Sequence, residues 1–121
     1  MKFKILVIAL LFMISFSNTP AKAFSLFYDL TGSSNIYWTS TGVSASVSST
    51  CNAEVDFVQA YAHLYLNGTL IKTTINAAND AYNVSTYAYG YSTGRYTLSG
   101  QHDSIDWTGD YTKYTSAIYT R

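Results

Sequence analysis

The densest group of side chains that could do chemistry lies in the segment QHDSIDWTGDY, residues 101–111. It carries His102, Asp103, Asp106 and Asp110 between two segments with strand patterning, so we expect it to be a loop. Carboxylates on a loop can ligate Ca²⁺, which takes about six to eight oxygen ligands, and His with Asp can ligate Zn²⁺. The spacing matches no EF-hand loop, however, so the sequence favours a solvated acidic turn with no metal and no other cofactor.

Two further groups of residues could support hydrolysis. His102, Ser104 and Asp106 contain the residue types of a catalytic triad, but no neighbouring segment provides an oxyanion site. Glu54 and Asp56 are two residues apart and so share one strand face, as the paired acids of a glycosidase could, but that chemistry also needs a cleft. Charges that protect a strand edge from aggregation explain these two acids better. We therefore predict that the protein is not an enzyme.

Aromatic side chains offer a different chemistry in the segment STYAYGYSTGRY, residues 85–96. Tyr87, Tyr89 and Tyr91 occupy alternate positions, Arg95 follows after a turn, and Trp107 lies further along the chain. Exposed aromatic rings present apolar faces on which sugar rings can stack, while the phenol hydroxyl groups can form hydrogen bonds. These five residues are the predicted ligand-binding site, and the predicted ligand is an extracellular compound such as a polysaccharide.

The register of the turn after Tyr91 decides whether the tyrosine row is exposed. A three-residue loop at 92–94 places Tyr91 opposite Arg95, on an outer face. A four-residue loop at 91–94, or a two-residue turn at 93–94, places Tyr89 on the same side as Tyr96, in the core. In a third geometry the turn crosses between sheets and no direct pairing exists. The twelve tyrosines cannot all find hydroxyl partners inside so small a core, which favours the outward orientation.

The first 23 residues have the pattern of a secretory signal peptide. Lys2 and Lys4 form a basic region, residues 5–16 are apolar, and Ala21-Lys22-Ala23 matches a cleavage site. An apolar run of about 12 residues is shorter than the roughly 20 that a spanning helix needs, so we expect no stable membrane anchor. The sequence predicts export and a single mature domain at 24–121.

Charge and cysteine content exclude several classes of partner. Residues 24–121 contain four basic and seven acidic residues, a net charge near −3. Without a Lys/Arg cluster the chain lacks the electrostatic attraction on which binding to nucleic acid or anionic lipid depends, so neither is expected as a partner. Cys51 is the only cysteine, so no internal disulfide can form. We expect a buried thiol there, with a homodimer linked through Cys51 as the alternative.

Strand patterning dominates the mature chain, which is rich in Tyr, Ser, Thr and Val and contains no proline. Alternation of Val43, Ala45 and Val47 with serine predicts a strand at about 42–50. A second strand at 55–67 ends at Asn67-Gly68, the residue pair that a type I′ hairpin turn prefers. A two-residue loop would place Leu66 opposite Thr69, Leu64 opposite Ile71, Ala62 opposite Thr73 and Ala60 opposite Ile75. A loop is expected at 77–81, followed by strands at 82–91, 95–102 and 111–120.

These elements predict an all-β fold, a small antiparallel β-sandwich of about six to seven strands. The segment TGRYTLSG, with Gly94, Tyr96 and Leu98, resembles the corner of an immunoglobulin domain, which implies immunoglobulin-like architecture in general terms only. The leading functional hypothesis is a secreted binding module that uses exposed Tyr and Trp. The alternatives are a small bacteriocin-like antagonist acting on a competitor's envelope and a self-assembling surface protein.

Overall fold

The computed structural model describes residues 29–121, which form five antiparallel strands and no helix. The strands are β1 (Leu30–Trp38), β2 (Val43–Leu66), β3 (Thr69–Gly90), β4 (Arg95–Asp106) and β5 (Gly109–Thr120). They form one sheet in the order β1-β2-β4-β5, with β3 paired to the other edge of β2. The prediction of an all-β, antiparallel fold is confirmed. The predicted signal peptide lies outside the described residues.

The sheet curls because its two longest strands bend at an irregularity in their pairing. Thr50 of β2 pairs with Asn83 of β3, but the next pair is Val55 with Ala81, so four residues of β2 lie opposite one of β3. Extra residues in one strand bend it and increase its twist. The bend divides the sheet into a first half (β1, residues 43–51 of β2 and 83–90 of β3) and a second half (residues 55–66 of β2, 69–81 of β3, β4 and β5).

The core lies between the inner faces of the two halves. Alternate residues are buried in β4, in residues 84–90 of β3 and in much of β2, where the alternation that the sequence shows in residues 43–47 and 58–64 is the alternation of burial. Removing such aliphatic side chains from water stabilises the fold by roughly 1.5–3 kcal/mol for each large one. The largest fully buried apolar side chains are Val43, Val47, Val55, Val58, Leu64, Tyr96 and Leu98.

The turn between β2 and β3 has the predicted conformation. Asn67 has a φ of 51° and Gly68 a φ of 86°, both in the left-handed region that a type I′ turn requires. Leu66 pairs with Thr69 and Tyr65 with Leu70, as a two-residue loop requires, but from Leu64 onward the predicted register is wrong by one residue, since Leu64 pairs with Lys72 instead of Ile71.

A bulge at Ile71 causes this one-residue difference, because the extra residue in β3 moves every later side chain to the opposite face. Thr74 therefore points inward and accepts a hydrogen bond of 2.9 Å from the Thr86 hydroxyl. Ile71 and Ile75 remain exposed.

Three other expectations about the elements are wrong, and one strand was not predicted at all. The predicted loop at 77–81 is part of β3, and the predicted loop between the strands at 95–102 and 111–120 is itself strand except for the turn at 107–108. β1 was not predicted, because its inward positions include Gly32 and Ser34, which hide the apolar alternation. The strand count is five rather than six to seven, since β2 and β3 continue through the bend.

The segment between β3 and β4 crosses from the first half of the sheet to the second. β3 and β4 do not pair with each other, which is the third of the geometries considered for this turn. The buried Tyr96 donates a hydrogen bond of 2.6 Å from its hydroxyl to the carbonyl of Ser92. Gly90 makes room for the Tyr96 ring, and the backbone of Gly94 pairs with that of Arg121. Hydrogen bonds at Ser92 and at Gly94 therefore fix the conformation of the segment between β3 and β4.

The substitution Gly32→Ala tests the close packing of β1 against the His102 ring of β4. A Cβ atom at position 32 would lie 2.2 Å from the His102 ring, so β1 or β4 would have to shift. Overpacking of this kind lowers the free energy of unfolding by roughly 2–3 kcal/mol. The control is Gly68→Ala, where no atom lies within 4 Å and only the positive φ opposes the change, at about 1 kcal/mol. Urea denaturation measures both, and a smaller loss for Gly32→Ala than for Gly68→Ala would contradict this packing.

Candidate functional site

The outer face of the first half of the sheet carries tyrosines on both sides of a column of serines. Tyr37 of β1, Ser44 of β2 and Tyr89 of β3 lie in one cross-strand row. Two residues further along each strand, a second outward-facing row holds Asn35, Ser46 and Tyr87. We call the surface formed by these six residues the tyrosine face.

The tyrosine face places two exposed rings on either side of a short serine side chain. Tyr37 and Tyr89 flank Ser44 at two strand spacings from each other, about 10 Å between their backbones. Both rings are more than half exposed, at 55% and 54%, whereas the short serine side chain between them is half-buried. Further along the column, Ser48 and Ser85 join by a hydrogen bond of 2.7 Å between their hydroxyl groups. Aromatic rings on both sides of serine hydroxyl groups suit a ligand that has both apolar faces and hydroxyl groups.

The structure brings only part of the predicted site together. Tyr87 and Tyr89 share the tyrosine face, and Tyr91 follows them in the exposed turn, where its carbonyl accepts a hydrogen bond of 3.1 Å from Arg121. Arg95 points away from the buried Tyr96 beside it, so it lies on the outer face of the second half, on the other side of the molecule. Trp107 is exposed just beyond the far end of β4, roughly 40 Å of extended chain from Arg95.

Arg95 and Trp107 therefore do not complete a site with the three tyrosines. Their separation follows from the crossing at residues 91–94, which moves β4 to the other half of the sheet. Tyr37 instead lies in one row with Tyr89, and it was not among the predicted site residues. The signal that could have found it is the alternation of Asn35 and Tyr37 with Ile36, which is half-buried, since that period marks a strand with one inward face.

His102, expected on a solvated loop, is fully buried between the two halves of the sheet. Ser49 donates its hydroxyl proton to the carbonyl of Gln59 at 2.8 Å, so toward His102 Nδ1, also 2.8 Å away, it can only accept. The neutral ring then carries its proton on Nδ1, and Nε2 accepts from the Thr115 hydroxyl at 2.7 Å. Thr115 in turn lies 2.5 Å from the Ser34 hydroxyl. This chain joins β1, β2, β4 and β5 and leaves both nitrogens of a neutral His102 satisfied.

The acids near His102 have separate structural contacts. Asp103 accepts hydrogen bonds from the side chains of Thr112 at 2.8 Å and Gln101 at 3.1 Å. Asp106 is buried, and one of its carboxylate oxygens accepts a hydrogen bond from the backbone of Trp107 in the β4–β5 turn. Within residues 29–121 no three His, Cys, Asp or Glu side chains are placed to share a metal ion.

Cys51 is buried in the core at 3% exposure, as the sequence analysis expected. Burial raises the pKa of its thiol, because the thiolate is poorly solvated there. A disulfide-linked homodimer through Cys51 stays a prediction, and it would require β2 to open so that the sulfur could reach a partner.

No protein-family model matches the chain, and no curated protein is similar to it at a significant level. In the part of the chain that the structure describes, no helix has the length and hydropathy of a membrane span. The geometry of the described residues is therefore the basis for the functional argument.

The buried histidine predicts a loss of stability in acid. Burial lowers the pKa of His102 below its ordinary value of 6.5, and the opposing effect of Asp103 is smaller. Protonation therefore favours the unfolded chain, so the contribution of neutral His102 is complete above pH 6.5 and decreases as the pH falls below it.

We expect His102→Gln to lower the free energy of unfolding at pH 7.5 by roughly 1–3 kcal/mol, because buried partners lose their hydrogen bonds. Urea denaturation between pH 7.5 and 5 should show this difference from the wild type narrowing as the pH falls. A difference that stays constant over that range would contradict the role of a neutral, buried His102.

Proposed function

We propose that the protein is a secreted, non-enzymatic binding module that holds extracellular carbohydrate on its tyrosine face. The observation that carries the proposal is the cross-strand row Tyr37, Ser44 and Tyr89, in which two exposed phenol rings flank a serine hydroxyl. Phenol rings can stack on the apolar faces of sugars, and the phenol, serine and Asn35 side chains can bond to sugar hydroxyl groups.

A neutral or weakly charged ligand suits this surface. The six residues of the tyrosine face carry no charged side chain. Binding would therefore depend on stacking and hydrogen bonds rather than on ion pairs, and salt should change the affinity little. The signal pattern of residues 1–23 supports an extracellular setting, where polysaccharides are abundant ligands.

The finer fold class also belongs to the proposal. We assign the domain to small antiparallel β-sandwiches of immunoglobulin-like general architecture. Division of β2 and β3 at their bend gives seven strand segments, three in the first half of the sheet and four in the second. The hydrogen bond from the Tyr96 hydroxyl to Ser92, four residues earlier, has the form of the tyrosine corner found in such domains.

The tyrosine face is tested by Tyr37→Ser and Tyr89→Ser in the mature chain. Each change removes one stacking ring, and we expect the affinity of the tyrosine face for the bound carbohydrate to fall about 5- to 30-fold, which corresponds to about 1–2 kcal/mol. Affinity electrophoresis in gels containing hydroxyethyl cellulose, dextran or xylan measures the binding, and a glycan array extends the range of sugars.

The matched control is Tyr82→Ser, because Tyr82 is equally exposed, at 57%, but lies at the bend outside the tyrosine face. It should bind like the wild type. If the wild-type protein binds no carbohydrate on the array or in the gels, or if all three variants bind equally, the proposal is wrong.

A further inference from the structure

The outer face of the second half of the sheet carries a row with the same arrangement as the tyrosine face. Tyr61 of β2 pairs with Gln101 of β4, and Gln101 pairs with Tyr114 of β5. The neighbouring row holds Gln59 and Asp103. We call the surface formed by these five residues the glutamine face.

The two faces match in spacing. In each, two tyrosines flank one polar residue across three adjacent strands, so their backbones are about 10 Å apart. In each, an amide side chain lies in the neighbouring row, Asn35 on one face and Gln59 on the other. A ligand that spans Tyr37 and Tyr89 therefore meets the same backbone separation at the half-buried Tyr61 and the exposed Tyr114.

Contacts within the outer face orient Tyr61, Gln101 and Asp103 of the glutamine face. The rings of Tyr61 and His63 are stacked, with centroids 6.2 Å apart and planes at 9°, and His63 bonds to Thr73 at 3.2 Å. Gln101 donates its amide protons to Asp103 at 3.1 Å and 3.3 Å. Tyr114 is 70% exposed. The Gln101 amide lies between the two tyrosines of its row, and the Asp103 carboxylate lies in the next row. Both groups can bond to hydroxyl groups of a sugar, and their pre-ordering lowers the entropy lost on binding.

We propose that the glutamine face is a second carbohydrate-binding site, so that one molecule bridges two polysaccharide chains. The inference rests on the proposed function of the tyrosine face, because it assigns the same class of ligand to the second face. The inner faces of the two halves pack against each other, so the two outer faces point to opposite sides of the molecule. One chain segment lying on one face cannot reach the other, and simultaneous occupancy links separate chains.

The experiment separates binding from bridging with the same three soluble polysaccharides, hydroxyethyl cellulose, dextran and xylan. Binding and its stoichiometry are measured by isothermal titration with short oligosaccharides of each. Bridging is measured as the rise in turbidity or viscosity when the protein is added to the intact polymer. The wild type should bind two oligosaccharides and cross-link the polymer.

Tyr114→Ser should bind one oligosaccharide and lose cross-linking at least 10-fold, while its retention in the gels persists through the tyrosine face. Combining Tyr37→Ser with Tyr89→Ser should give the same result through the glutamine face, and combining all three changes should abolish binding. Tyr82→Ser is again the matched control and should cross-link like the wild type. Far-ultraviolet circular dichroism and urea midpoints establish that each variant is folded.

The two proposals fail in different ways. A wild-type stoichiometry of one, or cross-linking by Tyr114→Ser at the wild-type level, overturns the second site and leaves the tyrosine face intact. No binding of any of the carbohydrates by the wild type overturns the proposed function and the second site with it.

Discussion

The bend in the paired strands β2 and β3 is the constraint on which the rest of the structure depends. Four residues of β2 face one residue of β3 there, and the sheet curls so that its two halves meet through their inner faces. Because strand side chains alternate, filling the interior from one set of positions forces the other set outward. Both tyrosine-bearing faces are consequences of that single geometry.

The contact between the halves requires small and polar residues as well as apolar ones. Gly32 lies against the His102 ring, and Ser49 and Thr115 satisfy its two nitrogens. A buried imidazole without such partners would destabilise the fold, since an unpaired polar group in the core costs roughly 1–3 kcal/mol. The same chain of hydrogen bonds fixes the positions of β1 and β5 relative to β2 and β4, which in turn fixes the outer rows.

The exposed tyrosine row of the candidate site could be predicted from the sequence, but the residues of other strands that lie beside it could not. The alternation in residues 84–91 indicated a strand with three tyrosines on one side, and the structure exposes that side. The sequence could not pair Tyr89 with Tyr37 across Ser44, because that row joins three strands, one of which lacked a recognisable pattern. It also grouped Arg95 and Trp107 with the tyrosines, although the crossing at 91–94 places both elsewhere.

The local features could be predicted from the amino-acid sequence: the β composition, the Asn67-Gly68 turn, and the inward positions of residues 43–47 and 58–64. These follow from backbone preferences and from alternation within one strand, which need no distant partner. Other features depend on tertiary contacts: the bulge at Ile71, the continuation of β3 through 77–81, the burial of His102, and the orientation of the tyrosine face and the glutamine face. Each of these depends on which residues of other strands lie opposite, and a shift of one residue reverses the outcome.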